Sequence, residues 1–200
     1  MKRLLSREDA FTGLEAAIVL IAFVVVAAVF SYVVLGAGFF TTQKSQQTVI
    51  TGVQQASSSF EVLGDVIGLG RVTAGACPCP EINFVNFTMG LAPGGEPIDM
   101  TKIAMVYSNQ STRVELSQAS PLFNSGPAAG QWSIIRITNG NTNYYLETGE
   151  QMDISVHLTS STSAIVSRDT FTLEVKPVVG PALSIKREGP GGIDPVNALR

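Results

Sequence analysis

Hydrophobic and polar positions divide this chain into two regions of different period. From Ala16 to Gln43 there is no Asp, Glu, Lys, Arg or His in 28 positions, and Ile18-Val19-Leu20-Ile21-Ala22-Phe23-Val24-Val25-Val26 is apolar on every face of a helix. At about 1.5 Å per residue the run makes a helix of roughly 42 Å, longer than a hydrocarbon core of about 30 Å. A helix that is apolar all round is buried all round, in lipid or among other helices. A narrower stripe follows. Val49, Val53, Ala56, Phe60, Leu63 and Ile67 recur at spacings of four and three, with Gln54, Gln55, Ser57, Ser58, Glu61 and Asp65 on the other faces. The pattern predicts one long helix over residues 11–70, loosened by Gly64, Gly68 and Gly70, and a linker over 71–80.

Beyond Pro80 the period changes to two. Met152, Ile154, Val156 and Leu158 alternate with Asp153, Ser155, His157 and Thr159, and Phe171, Leu173 and Val175 alternate with Thr172, Glu174 and Lys176. Further strands are predicted at 82–89, 98–107, 113–116, 132–138, 144–146 and 182–186. Clusters such as Pro93-Gly94-Gly95, Asn124-Ser125-Gly126-Pro127, Asn139-Gly140-Asn141 and Thr148-Gly149-Glu150 break them. Seven or eight short strands with regular breaks predict an α+β chain: a long N-terminal hydrophobic helix followed by an antiparallel β-sandwich or barrel, immunoglobulin-like, over 81–200. A fragment starting near Pro80 is therefore expected to fold alone. Pro177 and Pro181 suit edge positions.

The head of the chain adds direction. Lys2, Arg3 and Arg7 lie in a charged leader that ends at Ala10, immediately before the apolar run. An ordinary secretory signal is cut after its apolar core. Here the small residue suited to cutting, Ala10, precedes that core, so processing at Ala10-Phe11 keeps the apolar segment. The basic leader predicts a cytoplasmic N-terminus, with residues after Lys44 outside. Glu15 is the one carboxylate at the helix start, five places beyond the cut. Near a membrane interface a carboxylate calls for a positive partner, such as a freed α-amine.

The leader, the Ala10-Phe11 junction, Glu15 and the run AAIVLIAFVVVAAVFSYVVLGAGFF resemble a class III, type IV pilin-like signal sequence. Within that superfamily the chain resembles the archaellins, the archaeal flagellins. Its tail is similar to theirs at Phe171-Thr172-Leu173-Glu174-Val175-Lys176-Pro177, Gly180-Pro181-Ala182-Leu183 and Ile193-Asp194-Pro195. Many relatives carry Gly before the cut, where this chain has Ala10. The resemblance implies a leader at residues 1–10 removed by a prepilin-type signal peptidase and a precursor in the cytoplasmic membrane. It further implies an extracellular homo-polymeric filament that serves swimming, with archaellum assembly and motor machinery as partners.

Composition narrows the remaining chemistry. Charged residues are 14% of the chain and the formal net charge is −3. Loss of residues 1–10 leaves 10 basic against 14 acidic side chains, a net charge of −4. With no basic run outside the leader, nucleic-acid binding has no electrostatic footprint. His157 is the only histidine, on a strand face, and no P-loop, GxSxG or dinucleotide fingerprint is present, so no enzymatic role is expected. Cys77-Pro78-Cys79-Pro80 cannot complete a four-ligand zinc site alone. A structural role or local disulfide is favoured over intersubunit pairing, and metal binding ranks last. Asn86-Phe87-Thr88 and Asn109-Gln110-Ser111 are N-glycosylation sequons. Export and the resemblance, whose members are often N-glycosylated, favour both. Glu96, Asp99, Glu147, Glu150 and Asp153 are loop or strand carboxylates that would suit a hard cation such as Ca²⁺. No EF-hand spacing supports one, so solvated surface residues and no cofactor are expected.

Two function classes remain: a structural filament subunit, and an adhesive pilin-like or membrane-anchored surface-binding module. Processing at Ala10 discriminates them.

Overall fold

The computed structural model describes residues 2–71, 81–123, 125–159 and 163–200. Two compact units result, residues 1–51 and 52–200. Cys77 and Cys79 lie outside the described residues.

A single helix, α1, runs without interruption over Lys2–Ser57. The stretch is rich in β-branched valine and isoleucine, which by propensity favour strands. A helix wins because it satisfies every interior backbone N–H and C=O within the segment, the one solution open to a chain of such side chains away from water. The end is set by three serines: the Ser58 N–H donates to the Gln54 carbonyl at 3.0 Å, and the Ser57 hydroxyl reaches the same carbonyl at 3.4 Å. Serine hydroxyls compete for helical carbonyls, which favours termini over interiors.

The helix therefore stops thirteen residues short of the expected 70. Phe60–Gly70 is a strand, β1. Three glycines make this segment a poor helix at roughly 1 kcal/mol each relative to alanine. They serve a strand instead. Gly64, at φ +79°, lies where the pairing of β1 with its neighbour shifts register between Leu63 and Ile67, as expected of a bulge. A Cβ on Gly68 would stand 3.0 Å from Ile82 and 3.1 Å from Leu199. The helical-looking stripe does not survive as one face: Phe60 and Val66 are buried, Leu63 is half-buried and Ile67 is exposed.

Ten further strands follow among the described residues: β2 (Ile82–Leu91), β3 (Ile98–Asp99), β4 (Ala104–Asn109), β5 (Arg113–Phe123), β6 (Gln131–Thr138), β7 (Tyr145–Leu146), β8 (Gln151–His157), β9 (Thr170–Lys176), β10 (Leu183–Glu188) and β11 (Val196–Leu199). Nine of the eleven form one sheet in the order β10-β9-β4-β5-β6-β8-β2-β1-β11, and β3 pairs with β7. Pairing is antiparallel except between β5 and β6. The long β5 joins two layers. Its first half pairs with β4 (Met105↔Leu116) and its second runs parallel to β6 (Ser117↔Gln131). At the sheet's two ends, the Glu188 N–H of β10 donates to the Arg200 carbonyl beside β11 at 2.8 Å, so the sheet nearly closes on itself. Near-closure leaves little unpaired edge.

The expected β-sandwich or barrel is thus present, with one parallel pair, the added β1 and a β5 that runs on to Phe123. A 3-10 turn at Met100–Lys102 splits the predicted strand 98–107. The short β11 carried no predictive signal. The period-two segments face as predicted: Met152, Ile154, Val156, Phe171, Leu173 and Val175 are buried around Trp132 and Tyr107, whose ring lies 6.0 Å from that of Phe171.

Because β1 bonds to β2 on one side and β11 on the other, a fragment starting near Pro80 lacks an interior strand and leaves β11 without its partner in the sheet. This corrects the expectation that residues 81–200 suffice. Burial of Phe60 and Val66 contributes about 1.5–3 kcal/mol each, a large part of the roughly 5–15 kcal/mol by which domains are stable. A fragment of residues 58–200 should be monomeric and β-rich with a cooperative thermal transition by circular dichroism, whereas residues 81–200 should lack that transition. Equal melting of the two would refute the central role of β1.

Burial pushes the Tyr107 phenol well above its ordinary value near 10. A raised acid pKa means the folded state holds the neutral form, so this stability is complete below pH 10 and is lost as pH rises through the alkaline range. Urea midpoints of fragment 58–200 should fall between pH 9 and pH 11, and Tyr107→Phe should lessen the fall. An unchanged pH slope in the variant would assign the alkaline loss to other groups.

Candidate assembly surface

α1 presents a continuous apolar surface. All 20 large apolar side chains from Leu14 to Val53 are at least 53% exposed, among them Phe23, Phe30, Tyr32, Phe39 and Phe40. Residues 13–55 are long and apolar enough to cross a membrane. At about 1.5–3 kcal/mol per fully buried large apolar side chain, covering this surface is worth tens of kcal/mol. The β-domain, by contrast, encloses its own core. The surface in need of partners is the helix.

Polar groups on the helix are prepared for a dry setting. The hydroxyls of Thr41, Thr42, Thr48 and Thr51 donate to the carbonyls of Ala37, Gly38, Lys44 and Gln47 at 2.8–2.9 Å. Each donor is satisfied four residues back, which lets it enter an apolar interface without an orphaned hydrogen. Hydropathy missed these residues, although hydroxyls in mid-helix were a readable signal. Gly36 and Gly38 have open space where a Cβ would stand. Nothing in the subunit demands them, and in an exposed helix each costs roughly 1 kcal/mol relative to alanine.

Ala10, Phe11 and Glu15 share this helix. Glu15 is exposed, and Phe11 stands one helical turn before it, at the spacing where helix neighbours meet.

The two sequons are placed very differently. Asn86 is half-buried in β2, which is bonded to β1 and β8, and its Oδ1 is out of solvent without a hydrogen-bond partner. The Thr88 hydroxyl of that sequon donates to Asp153 at 2.6 Å. Asn109 ends β4 at a hairpin turn whose Gln110 and Ser111 are exposed. Its Oδ1 accepts from the Ser111 and Thr112 N–H groups at 3.0 and 2.7 Å, an Asx turn, and its Nδ2 donates to Asp169 at 3.3 Å.

The acidic residues serve the fold. Asp99 accepts from the Thr101 hydroxyl at 2.6 Å and pairs with Lys102 at 2.9 Å, and these two groups hold its carboxyl below the usual range. Glu150 is buried and accepts from the N–H groups of Asn141 and Glu147, both at 3.1 Å. Asp153 takes Thr88 and, at 2.6 Å, Arg136. Glu147 accepts from the Asn143 side chain at 3.2 Å. Glu96 lines a cavity near Asp99. Among the described residues no three His, Cys, Asp or Glu side chains gather as metal ligands. His157 stacks on Phe84 at 4.0 Å and its Nδ1 contacts the Pro127 carbonyl at 3.0 Å, a structural strand residue.

A β-domain with a core of its own and a long, all-round apolar helix suit a structural subunit that associates through its helix. Residues 10–187 match the family described as archaeal-type flagellin, and the chain belongs to that family, the structural subunits of the archaellum filament. It is 44% identical to probable flagellin 1 of Archaeoglobus fulgidus over 98% of both chains. The archaeal flagellum of Methanospirillum hungatei is similar in structure, with TM-score 0.68 and 31% identity over 94% of this chain and 98% of that one. A flagellin crystal structure from Methanocaldococcus jannaschii shares the fold, with TM-score 0.55 and 16% identity over 71% of this chain and 96% of that one. As a filament subunit the chain works in a homo-polymer outside the cell.

Proposed function

We propose that the chain is made as a membrane precursor whose leader, residues 1–10, is removed by a prepilin-type signal peptidase between Ala10 and Phe11. The shortened α1 then passes from lipid into the core of a helical filament, where identical helices replace the acyl chains. The filament serves swimming, with dedicated assembly and motor machinery as partners, and the subunit needs no cofactor. The observation that carries this reading is the exposure of every large apolar side chain of α1 from Leu14 to Val53. A contact of one surface with a different surface of the next copy does not close, and so produces a filament. The adhesive or tethered module is not favoured, because kinship with flagellins extends along the whole chain.

The cut gives Glu15 its role. A new α-amine on Phe11 stands four residues from the Glu15 carboxylate, so the two charges can enter an apolar core as a pair. Asn109 is the favoured glycan acceptor of the two sequons: it stands on a turn, while Asn86 is locked into the middle of the sheet.

Intact mass of filaments sheared from cells should match a chain beginning at Phe11, plus a glycan lost on Asn109→Gln and retained on Asn86→Gln. Met1 at the start of assembled protein would overturn the processing scheme, and glycan loss with Asn86→Gln alone would reverse the site assignment.

Glu15→Ala keeps the helix, alanine being its best former, and removes the charge pair. Filament yield should fall at least tenfold by electron microscopy, while leader removal and the melting of the β-domain stay unchanged. Wild-type yield would reduce Glu15 to an interfacial residue without a role in assembly.

A further inference from the structure

Within the unit formed by residues 52–200, one exposed patch is unlike the rest of the domain surface. The turn between β9 and β10, Pro177-Val178-Val179-Gly180-Pro181-Ala182, holds no charged and no hydrogen-bonding side chain. Hairpin turns are usually solvated by Asn, Asp, Ser or Gly. Here Val178 is 71% and Val179 51% exposed, and Val178 is the most exposed large apolar side chain of the β-domain among the described residues.

The turn is held in place. Gly180 has φ +110°, and a Cβ there would fall on the Ser58 carbonyl oxygen, so the turn lies directly against the segment leaving α1. It walls a cavity of about 330 Å³ together with Gln54, Ser58, Ile98 and Tyr145. Ile98 is buried and Tyr145 half-exposed. Of the charged side chains that line the notch, Asp99 and Lys102 neutralise one another and Glu96 adds one exposed carboxylate.

We propose that this notch and its valine ridge are a subunit contact, occupied by a second copy of the chain in the filament. The inference rests on the polymer reading and adds to it a contact made by the β-domain. Two observations select a second copy as occupant. Gln54, on the notch wall, belongs to the last turns of α1, next to the exposed Val53. The patch thus continues the helix surface that the polymer covers. The ridge itself, Val178 and Val179 with Tyr145 at its side, has the uncharged, aromatic-bearing chemistry of an interface core, while the charged side chains belong to the rest of the notch. In a helical polymer the partner at the highest local concentration is another copy of the chain, which makes a second copy the occupant to test.

The test uses full-length protein in filament-forming cells, with Cys77 and Cys79 replaced by serine and Val178→Cys introduced. Maleimide labelling at position 178 should be at least tenfold slower in sheared filaments than in detergent-dispersed subunits. The pair Val178→Asp, Val179→Asp should abolish filaments while processed subunit accumulates with an unchanged thermal transition of the β-domain. Val178→Ile should assemble normally. Equal labelling in filament and subunit overturns the contact and leaves the polymer reading standing. Normal filaments from the double aspartate variant overturn it as well. Absence of filaments from the unsubstituted chain would instead sink the polymer reading, and the contact with it.

Discussion

The rest of the structure depends on one constraint: the apolar surface of α1 must not meet water. Twenty large apolar side chains lie exposed along the helix, and their hydration would cost tens of kcal/mol. In the function proposed above, the constraint is met by a sequence of apolar surroundings, first lipid and then identical helices. It also explains the helix's internal polar chemistry. Threonines bonded four residues back carry hydroxyls into an apolar place without an unpaired donor, and two glycines leave room for close approach.

The β-domain answers the opposite requirement. It must keep its shape without drawing on the helix for a core, and it does so by near-closure. β5 belongs to both layers, and the Glu188–Arg200 hydrogen bond ties the two ends of the nine-stranded sheet. An open sheet of this size on a secreted polymer would offer unpaired edges to every neighbour. Closing it directs association to side-chain surfaces, which are specific, and away from backbone ladders, which are not. The ion pairs at Asp99 and Asp153 likewise serve local order, as part of the surface of a domain with few charges.

Placement in the fold gives equal sequence motifs unequal meaning. Asn86 and Asn109 satisfy the same three-residue rule, yet one is fixed between two neighbouring strands and the other sits on a turn. Of the five carboxylates singled out in the sequence, Asp99, Glu147, Glu150 and Asp153 each hold a local hydrogen bond in a turn, cap or ion pair.

The sequence by itself determined the presence of the long helix, its apolar character and the filament family, while the helix begins at Lys2 and not at the expected residue 11. These follow from short-range physics: an uncharged run of 28 residues has one backbone solution away from water, whatever surrounds it. It also determined which faces of β8 and β9 are buried, because strict alternation permits one choice. Tertiary structure alone decided residues 60–70. Their apolar spacing fits a helical stripe as well as a bulged strand, and the choice falls to partners far along the chain, β2 at 82–91 and β11 at 196–199. The parallel pairing of β5 with β6 and the recruitment of β11 were illegible for the same reason. Hydrogen bonds between distant strands leave no local period, and they form only where the fold has already brought the strands together.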